Sequence, residues 1–261
     1  MKKILAVLLC LVMVFSFAAC GKDDTVVVGY TIYEPMNYLD ENGDLIGFDT
    51  ELAEKVFENL GMEVVFKEIQ WENKYTDLAS GTIDCIWNGF TANSKDDDGI
   101  ERSEKVDFSY NYMMNKQVVV VHKDADSING SEDLNGKIGA AESGSAGETY
   151  AKDFKGIVFK GVTKQTDALL EVLSKTAAFA VVDEQLAKKY CGQGDYDKLQ
   201  YVPEFSSDAE YYAIGFEKGS ELTEKVNAEI VKLAEDGTIA KLAKKYGVEN
   251  TAIVDYADQV K

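Results

Sequence analysis

Apolar positions recur along the chain with two periods, one typical of buried strands and the other of amphipathic helices. Short apolar runs such as 26–29 and 117–121 suit strands covered on both faces. Residues 49–60 instead carry apolar side chains every three or four positions and end at Gly61, as a helix does. The pattern predicts strands at 26–29, 64–66, 83–87, 117–121, 137–141, 157–159 and 178–182, and helices at 49–60, 76–80, 148–154, 167–173 and twice within 222–246. This alternation predicts α/β units with mostly parallel sheets.

Two passages of the chain repeat the same order of elements. Residues 78–88 and 173–183 each run from a helix end through a short turn into an apolar strand that finishes in a polar residue. The chain has only two prolines and no long Gly-, Ser- or Pro-rich linker. Two similar α/β lobes joined by crossing strands fit this composition better than two domains on a flexible tether.

The first 19 residues have the features of an export signal. Two lysines are followed by an apolar run and then by small residues before Cys20, which is the order found in signal peptides. The run is shorter than the roughly 20 apolar residues of a spanning helix, although a retained anchor helix is the alternative. Residues 17–20 resemble the lipobox of bacterial lipoproteins. That resemblance implies a lipid on Cys20, followed by a short tether over 20–25.

The charge of the chain excludes several classes of partner. The 261 residues include 46 acidic and 27 basic side chains, for a net charge of −19. Removal of residues 1–19 takes away Lys2 and Lys3 but no acid, so it changes the net charge to −21. A protein this acidic does not bind nucleic acid, and it is repelled by anionic lipid headgroups. Attachment to a membrane therefore depends on the N-terminal lipid.

The cysteines and the histidine form no pattern of metal ligands. Beyond Cys20, the mature chain has Cys85 and Cys191, which lie in different halves and are expected to be unpaired. His122 ends an apolar run without a cysteine or second histidine near it in sequence. No nucleophile elbow is present either.

One acidic stretch looks like a calcium loop. In register with the glycine of 96–99, however, the first ligand position is Ser94 and the twelfth is Lys105, where such a loop needs Asp and Glu. We therefore predict a solvated acidic loop. We expect no metal, no cofactor and no catalytic residue.

The segments that follow predicted strands hold the candidate ligand-binding groups, because ligands of open α/β sheets bind at the carboxyl ends of strands. They supply the aromatic residues Tyr33 and Trp71, the donors Thr91 and Ser145, and the carboxylate of Asp183. An unpaired carboxylate at the end of so apolar a strand needs a cation or donors, unless it caps a helix. An amphoteric small molecule could use all of these groups.

Two further features suggest that an anion is bound. Arg102 is the only arginine in the chain, and a guanidinium grips a carboxylate with two hydrogen bonds, although a surface arginine is the alternative. The loop 142–147 follows a strand and opens a helix, whose N-terminus favours an anion. It lacks a P-loop ending, and an ordinary N-cap by Ser145 is the alternative interpretation.

Nearly all of residues 26–250 resemble the substrate-binding lipoproteins of polar amino-acid ABC importers, extracellular solute-binding protein family 3. The resemblance rests on the ordered motifs at 33–43, 46–49, 88–91, 101–109, 181–184 and 235–240. It implies an α/β fold of two lobes joined by two crossing hinge strands, near 112–117 and 208–213, in the type II periplasmic-binding-protein manner. The expected first lobe is 26–112 plus 213–261, and the second is 113–212.

The family pattern implies a clamp for the ligand carboxylate. Arg102 matches the clamping arginine, assisted by Thr91 and by Ser145, with Gly144 beside it. The spacing departs from the family, since eleven residues separate Thr91 from Arg102 and 94–99 looks inserted. Lys95 is therefore the alternative cation.

The remaining implied roles concern the ammonium group and the side chain of the ligand. Asp183 matches the residue that binds the α-ammonium of the ligand. The backbone carbonyl of Gly89 is the second group expected to accept from this ammonium. Tyr33 and Trp71 match the aromatic residues that sandwich the ligand side chain. Asn88 completes the expected set.

The resemblance implies a monomer that is exported across the cytoplasmic membrane and anchored by lipid on its outer face. It would bind a free amino acid and deliver it to the permease of an ABC importer, without being an enzyme. Two alternatives stay open. One is a dehydratase-like enzyme with Glu34 or Glu142 as the acid, and the other is a ligand sensor.

Mass spectrometry of the mature protein tests the export signal. We expect an N-terminus at a lipid-modified Cys20, because the lipobox-like residues precede it directly. Any other mature N-terminus would contradict the prediction.

Overall fold

The structure, a computed structural model, describes residues 25–125, 128 and 130–260; Cys20 and the predicted signal lie outside the described residues. The strands are β1 Thr25–Tyr30, β2 Tyr38–Leu39, β3 Leu45–Ile46, β4 Glu63–Glu68, β5 Cys85–Ile86, β6 Asp107–Phe108, β7 Met113–Asn115, β8 Gln117–His122, β9 Ile138–Glu142, β10 Val158–Val162, β11 Phe179–Asp183, β12 Leu199–Ser206, β13 Glu210–Tyr212 and β14 Gly215–Phe216. The helices are α1 Phe48–Asn59, α2 Lys74–Ala79, α3 Arg102–Lys105, α4 Ala146–Lys152, α5 Gln165–Leu173, α6 Glu184–Tyr190, α7 Glu221–Glu235 and α8 Thr238–Tyr246.

Two five-stranded sheets form the centres of two lobes. The first sheet has the order β4-β1-β5-β14-β6, and helices α1, α7 and α8 pack on one another beside it. The second sheet has the order β10-β9-β11-β8-β12 and is covered by α4 and α5. All six residues of β8 are buried, which agrees with the continuous apolar run that predicted it. The expected two-lobed α/β fold is confirmed.

The expectation of mostly parallel sheets is wrong. Strand β1 runs parallel to β4 and β5, and β9 runs parallel to β10 and β11, but β8, β12 and β14 pair antiparallel to their neighbours. Parallel neighbours need a crossover helix between them. Strands β8 and β14 instead enter their sheets directly from the segments that connect the lobes, so they run in the opposite direction.

The connection between the lobes is a two-stranded antiparallel ribbon. Strands β7 and β13 pair with Met114 opposite Tyr211, and Tyr112 N–H donates to Tyr212 C=O at 2.9 Å. This ribbon lies where the two crossing strands were expected. The lobe boundaries at 112/113 and 212/213 adjoin its ends and remain a prediction.

Helix α6 and strand β12 have no counterpart among the predicted elements. Helix α6 begins at Glu184, directly after the last residue of β11, so no turn residues separate the two elements and mark the start of the helix. Cys85 and Cys191 are both unpaired. Among the helices of the described ranges, none combines the length and apolar character needed to cross a membrane.

Adjacent leucines on α5 provide a test of the second core. Leu169 is 0% exposed and Leu170 is 48% exposed. We expect Leu169→Ala to lower the free energy of unfolding by about 2–5 kcal/mol, because it leaves a cavity under the sheet. Leu170→Ala is the matched control and should change it by less than about 1 kcal/mol. Urea denaturation of both variants measures the difference; equal losses would contradict this packing.

Candidate functional site

A small enclosed cavity lies where the two lobes meet. Its walls come from both lobes: Trp71, Asn88, Gly89, Thr91 and Arg102 from the first, and Gln117, Glu142, Ser145, Ala146, Gln165 and Asp183 from the second. The cavity, counted out to its mouth, has a volume of about 270 Å³, and nearly all of it is too narrow for a water molecule. That leaves room for about one water, so the lobes must separate to admit a larger ligand.

The guanidinium of Arg102 forms the cationic wall of this cavity. The residue begins α3 and is 1% exposed. Its Nε donates to Asp96 Oδ1 at 3.0 Å, and its two Nη atoms donate to the carbonyls of Thr91 at 3.2 Å and Gly144 at 3.3 Å. The group also lies 5.2 Å from the ring centre of Phe90. Three of its five N–H donors are used in this way, which leaves a pair for a ligand.

The alternative cation, Lys95, lies outside the cavity. Its side chain is 56% exposed and pairs with Glu101 at 3.2 Å. The prediction of a solvated acidic loop is wrong for Asp96, which is largely buried between Arg102 and Lys105, 3.0 and 2.9 Å away. A carboxylate is drawn inward here because it neutralises two cations. Within the described ranges no cluster of metal-ligating side chains was found.

The carboxylate of Asp183 forms the opposite wall. Although Asp183 occupies the N-cap position of α6, its side chain makes no capping bond. It accepts instead from Asn115 Nδ2 at 2.5 Å, from Gln117 Nε2 at 2.7 Å and from Gln165 Nε2. These amides supply the donors that a buried carboxylate needs, while burial raises the pKa of Asp183.

Sequence reasoning missed these amide residues. Gln165 begins α5 and Gln117 begins β8, and both line the cavity. The available signal was a polar residue placed directly before the apolar run of β8. Nothing in the sequence singles out Gln165, since glutamine is an ordinary residue at a helix start.

The loop before α4 contacts the first lobe. Ser145 lines the cavity and also caps α4, accepting from Glu148 N–H at 3.0 Å, so its two interpretations are compatible. Gly144 lies beside the cavity, not in its wall. Its carbonyl accepts from Arg102 and, at 2.9 Å, from Lys74 Nζ. Gly144 has a φ of +76°, a backbone conformation that side-chain-bearing residues rarely adopt.

The two predicted sandwich aromatics are placed differently. Trp71 lines the cavity and meets Phe90 edge to face, with ring centres 5.4 Å apart. Tyr33 is not part of the wall, and its hydroxyl bonds to that of Tyr212 at 2.8 Å. A Cβ on Gly89 would come within 2.7 Å of the Tyr33 ring, so Tyr33 lies against the glycine. The sandwich is therefore not formed in this arrangement, and a ligand-contact role for Tyr33 stays a prediction.

Buried hydrogen bonds fix the turn at 88–91. Asn88 Nδ2 donates to Thr31 C=O at 2.9 Å and to Asn37 Oδ1 at 2.7 Å, so this amide braces the turn. Gly89 N–H donates to Asp49 Oδ2 at 2.8 Å. Thr91 Oγ1 donates to Glu210 Oε2 at 3.2 Å, across to the ribbon.

Residues 26–249 match the family model described as bacterial extracellular solute-binding proteins, family 3. The chain belongs to this family. It is 28% identical over 258 residues to the "Arginine-binding extracellular protein ArtP" of Bacillus subtilis, with 94% of this chain and 98% of the relative covered. It is also 28% identical over 276 residues to the "L-cystine-binding protein TcyA" of the same organism, covering 97% and 100%.

A solved structure of "an ancestral arginine-binding protein bound to arginine" superposes on this family 3 protein with a TM-score of 0.78. The two chains are 33% identical, and the alignment covers 85% of this chain and 98% of the other. The two-lobed arrangement around the cavity is thus the fold of binding proteins.

Several buried ionisable groups surround the cavity of this solute-binding protein. Burial, with the nearby charge of Asp183, raises the pKa of Glu142 to about 8 and that of Glu210 to about 7. Burial also raises the pKa of Asp49 to about 7. Burial, with the charge of Arg102, lowers the pKa of Lys74 to about 7. The site therefore titrates near neutral pH.

These carboxyls make the stability of the ligand-free protein depend on pH. In the unfolded chain they release their protons near pH 4, but Asp49, Glu142 and Glu210 keep them in the folded state up to about pH 7 or 8. The unfolded state then binds fewer protons, so stability falls as pH rises through this window. Above pH 7 the folded protein has released the proton of Lys74 while the unfolded chain still holds it, so this group makes stability rise with pH.

We expect Tm to fall by at least about 3 °C between pH 5 and pH 7. Glu142→Gln should reduce the fall, because it removes one of the contributing groups. The exposed Glu204→Gln should leave it unchanged. Differential scanning calorimetry of the three proteins gives the result, and a Tm that rises over this range would contradict the assignment.

Proposed function

We propose that the protein captures a free amino acid between its lobes outside the cytoplasm and delivers it to the permease of an ABC importer. The observation that carries this proposal is that Arg102 from one lobe and Asp183 from the other line the same cavity. Opposite charges on facing walls suit a zwitterion. An amino acid carries one charge of each sign on the same carbon.

Each end of the zwitterion has a matching group. The free N–H pair of Arg102, with Thr91 and Ser145, takes the α-carboxylate, and Asp183 takes the α-ammonium. Micromolar affinity requires only about 8 kcal/mol. Two charge-assisted contacts together with burial against Trp71 are sufficient for affinity of that order.

Exposed ion pairs between the two lobes contribute little to closure, so we expect closure to depend mainly on contacts with the ligand. Glu34–Lys189, Glu68–Lys164 and Asp97–Lys152 join the lobes at 2.9, 2.6 and 2.8 Å. Their lysines are between a third and a half exposed, so each pair contributes about 0–1 kcal/mol. A ligand that bridges Arg102 and Asp183 therefore shifts the population toward the closed form, which is the form presented to the permease.

The relatives support the same function. ArtP is an arginine-binding protein and TcyA an L-cystine-binding protein, and the superposed structure holds arginine. Within the proposal the protein acts as a monomer, held at the outer face of the membrane by a lipid on Cys20.

One observation favours the enzyme alternative enough to require a test. Glu142 lines the cavity and has a pKa near neutrality, as a general acid does, whereas Glu34 is paired with Lys189 outside the wall. We propose a binding role without turnover. NMR of the ligand after incubation with the protein should show it unchanged, and a new product would overturn that part of the proposal.

The clamp assignment predicts selective losses of affinity. We expect Arg102→Ala and Asp183→Ala each to weaken amino-acid binding at least tenfold, because each removes one charged partner of the zwitterion. Lys95→Ala is the matched control and should stay within threefold, because Lys95 is outside the cavity. Isothermal titration calorimetry of folded variants measures this. Unchanged affinity in both alanine variants would reject the site.

A further inference from the structure

Glu142 stands apart from the other side chains in the cavity wall. It is the last residue of β9, it lines the cavity, and it is 3% exposed. Its Oε1 is buried and accepts no hydrogen bond from the described residues. A buried carboxylate oxygen without a donor is costly, so the site has an acceptor that the protein itself leaves unmatched.

Among the described residues, Asp49 also has a buried oxygen without a donor, Oδ1, but it does not line the cavity. Two other carboxylates near Glu142, those of Asp183 and Glu210, already have donors. Asp183 accepts from three side-chain amides, and Glu210 Oε2 accepts from Thr91 at 3.2 Å and from Gln117 at 2.9 Å. Of these three carboxylates, Glu142 is therefore the one with an oxygen still open to a donor from the ligand.

The cations near Glu142 are engaged elsewhere. Lys74 and Lys164 are the positive charges that act on it, while Asp183 and Asp167 are the negative ones. Lys74 Nζ donates to the carbonyls of Trp71 at 3.3 Å and Gly144 at 2.9 Å, and Lys164 pairs with Glu68 at 2.6 Å. Neither lysine bonds Glu142, so its charge is not neutralised by a direct partner.

Counting charges then points to the ligand class. In the function proposed above, on which this inference rests, the α-carboxylate matches Arg102 and the α-ammonium matches Asp183. One carboxylate in the wall, Glu142, remains. We propose that Glu142 binds a second positive charge at the end of the ligand side chain, so that the protein selects cationic amino acids of the arginine and lysine class.

Space beyond the cavity suits a long side chain. Trp71 lines both the enclosed cavity and a more open pocket of about 390 Å³, whose other walls are Gln70, Glu72, Ser143, Gly161, Val162 and Thr163. Ser143 directly follows Glu142 in the chain. An extended cationic side chain that passes Trp71 can make a cation–π contact with its ring in addition to the contact with the carboxylate of Glu142. Glu72 is the ionisable residue of that second pocket, and it adds further negative charge.

The inference has a pH signature. The pKa of Glu142 is raised to about 8 by burial first and by Asp183 and Asp167 next, against Lys74 and Lys164. Only the ionised carboxylate attracts a cation, so binding of a cationic ligand releases a proton. Affinity for such a ligand should then rise by up to tenfold per pH unit between pH 6 and pH 8, while that for a neutral amino acid rises much less.

The experiment compares L-arginine with L-citrulline, its neutral analogue of almost the same shape, by calorimetry on the mature protein at pH 7.5. We expect arginine to bind at least tenfold more tightly than citrulline. Glu142→Gln should weaken arginine at least tenfold and citrulline less than threefold, with loss of the released proton. Glu204→Gln, an exposed change of the same type, should alter neither ligand.

Each other outcome has a distinct meaning. An equal loss for both ligands in Glu142→Gln would assign Glu142 to the α-ammonium and overturn the specificity proposal, while amino-acid capture stands. Tighter binding of citrulline or glutamine than of arginine would also overturn it. If no amino acid binds the unaltered protein, the proposed function itself fails.

Discussion

The buried guanidinium of Arg102 is the constraint on which the rest of the site depends. A permanent positive charge cannot be stable away from water without acceptors around it, and the protein supplies them from both lobes. Asp96 and the Thr91 carbonyl belong to the first lobe, and the Gly144 carbonyl belongs to the second. The loop before α4 therefore contacts the guanidinium of Arg102, the group that also has N–H donors left for a ligand. Its turn needs a glycine, and its helix needs the cap of Ser145.

Much of this arrangement could be predicted from the sequence, because the signals were local. The apolar run of β8 and the period of α1 depend only on neighbouring residues, and the two-lobed fold follows from their order. Seven of the nine expected site residues line the cavity, since strand ends converge at one edge of each sheet. The antiparallel half of each sheet was not predictable in this way, because strand direction depends on where the chain crosses between lobes.

The unpredicted part of the site consists of partners brought together over long distances in sequence. Asn115, Gln117 and Gln165 surround Asp183 only after the ribbon, β8 and α5 have packed. The burial of Asp96 and the open acceptor on Glu142 have the same origin. In a chain with 46 acidic residues, sequence does not show which few are taken out of water. Burial raises the pKa of Asp49, Glu142, Asp183 and Glu210, whereas the cations Arg102 and Lys105 outweigh burial at Asp96 and lower its pKa. Most of the other acidic residues keep the surface solvated.

The ribbon between the lobes also takes part in the chemistry of the cleft. Asn115 belongs to β7, and its amide occupies a lone pair of Asp183 that an incoming ammonium would also seek. Glu210 belongs to β13 and shares the amide of Gln117 with Asp183. Under the proposed function, an ammonium bound to Asp183 would share Oδ1 with these amides or take the acceptor site that they leave open. Under the same proposal, we expect substitutions of these residues in the joint to change the affinity without altering the wall of the cleft.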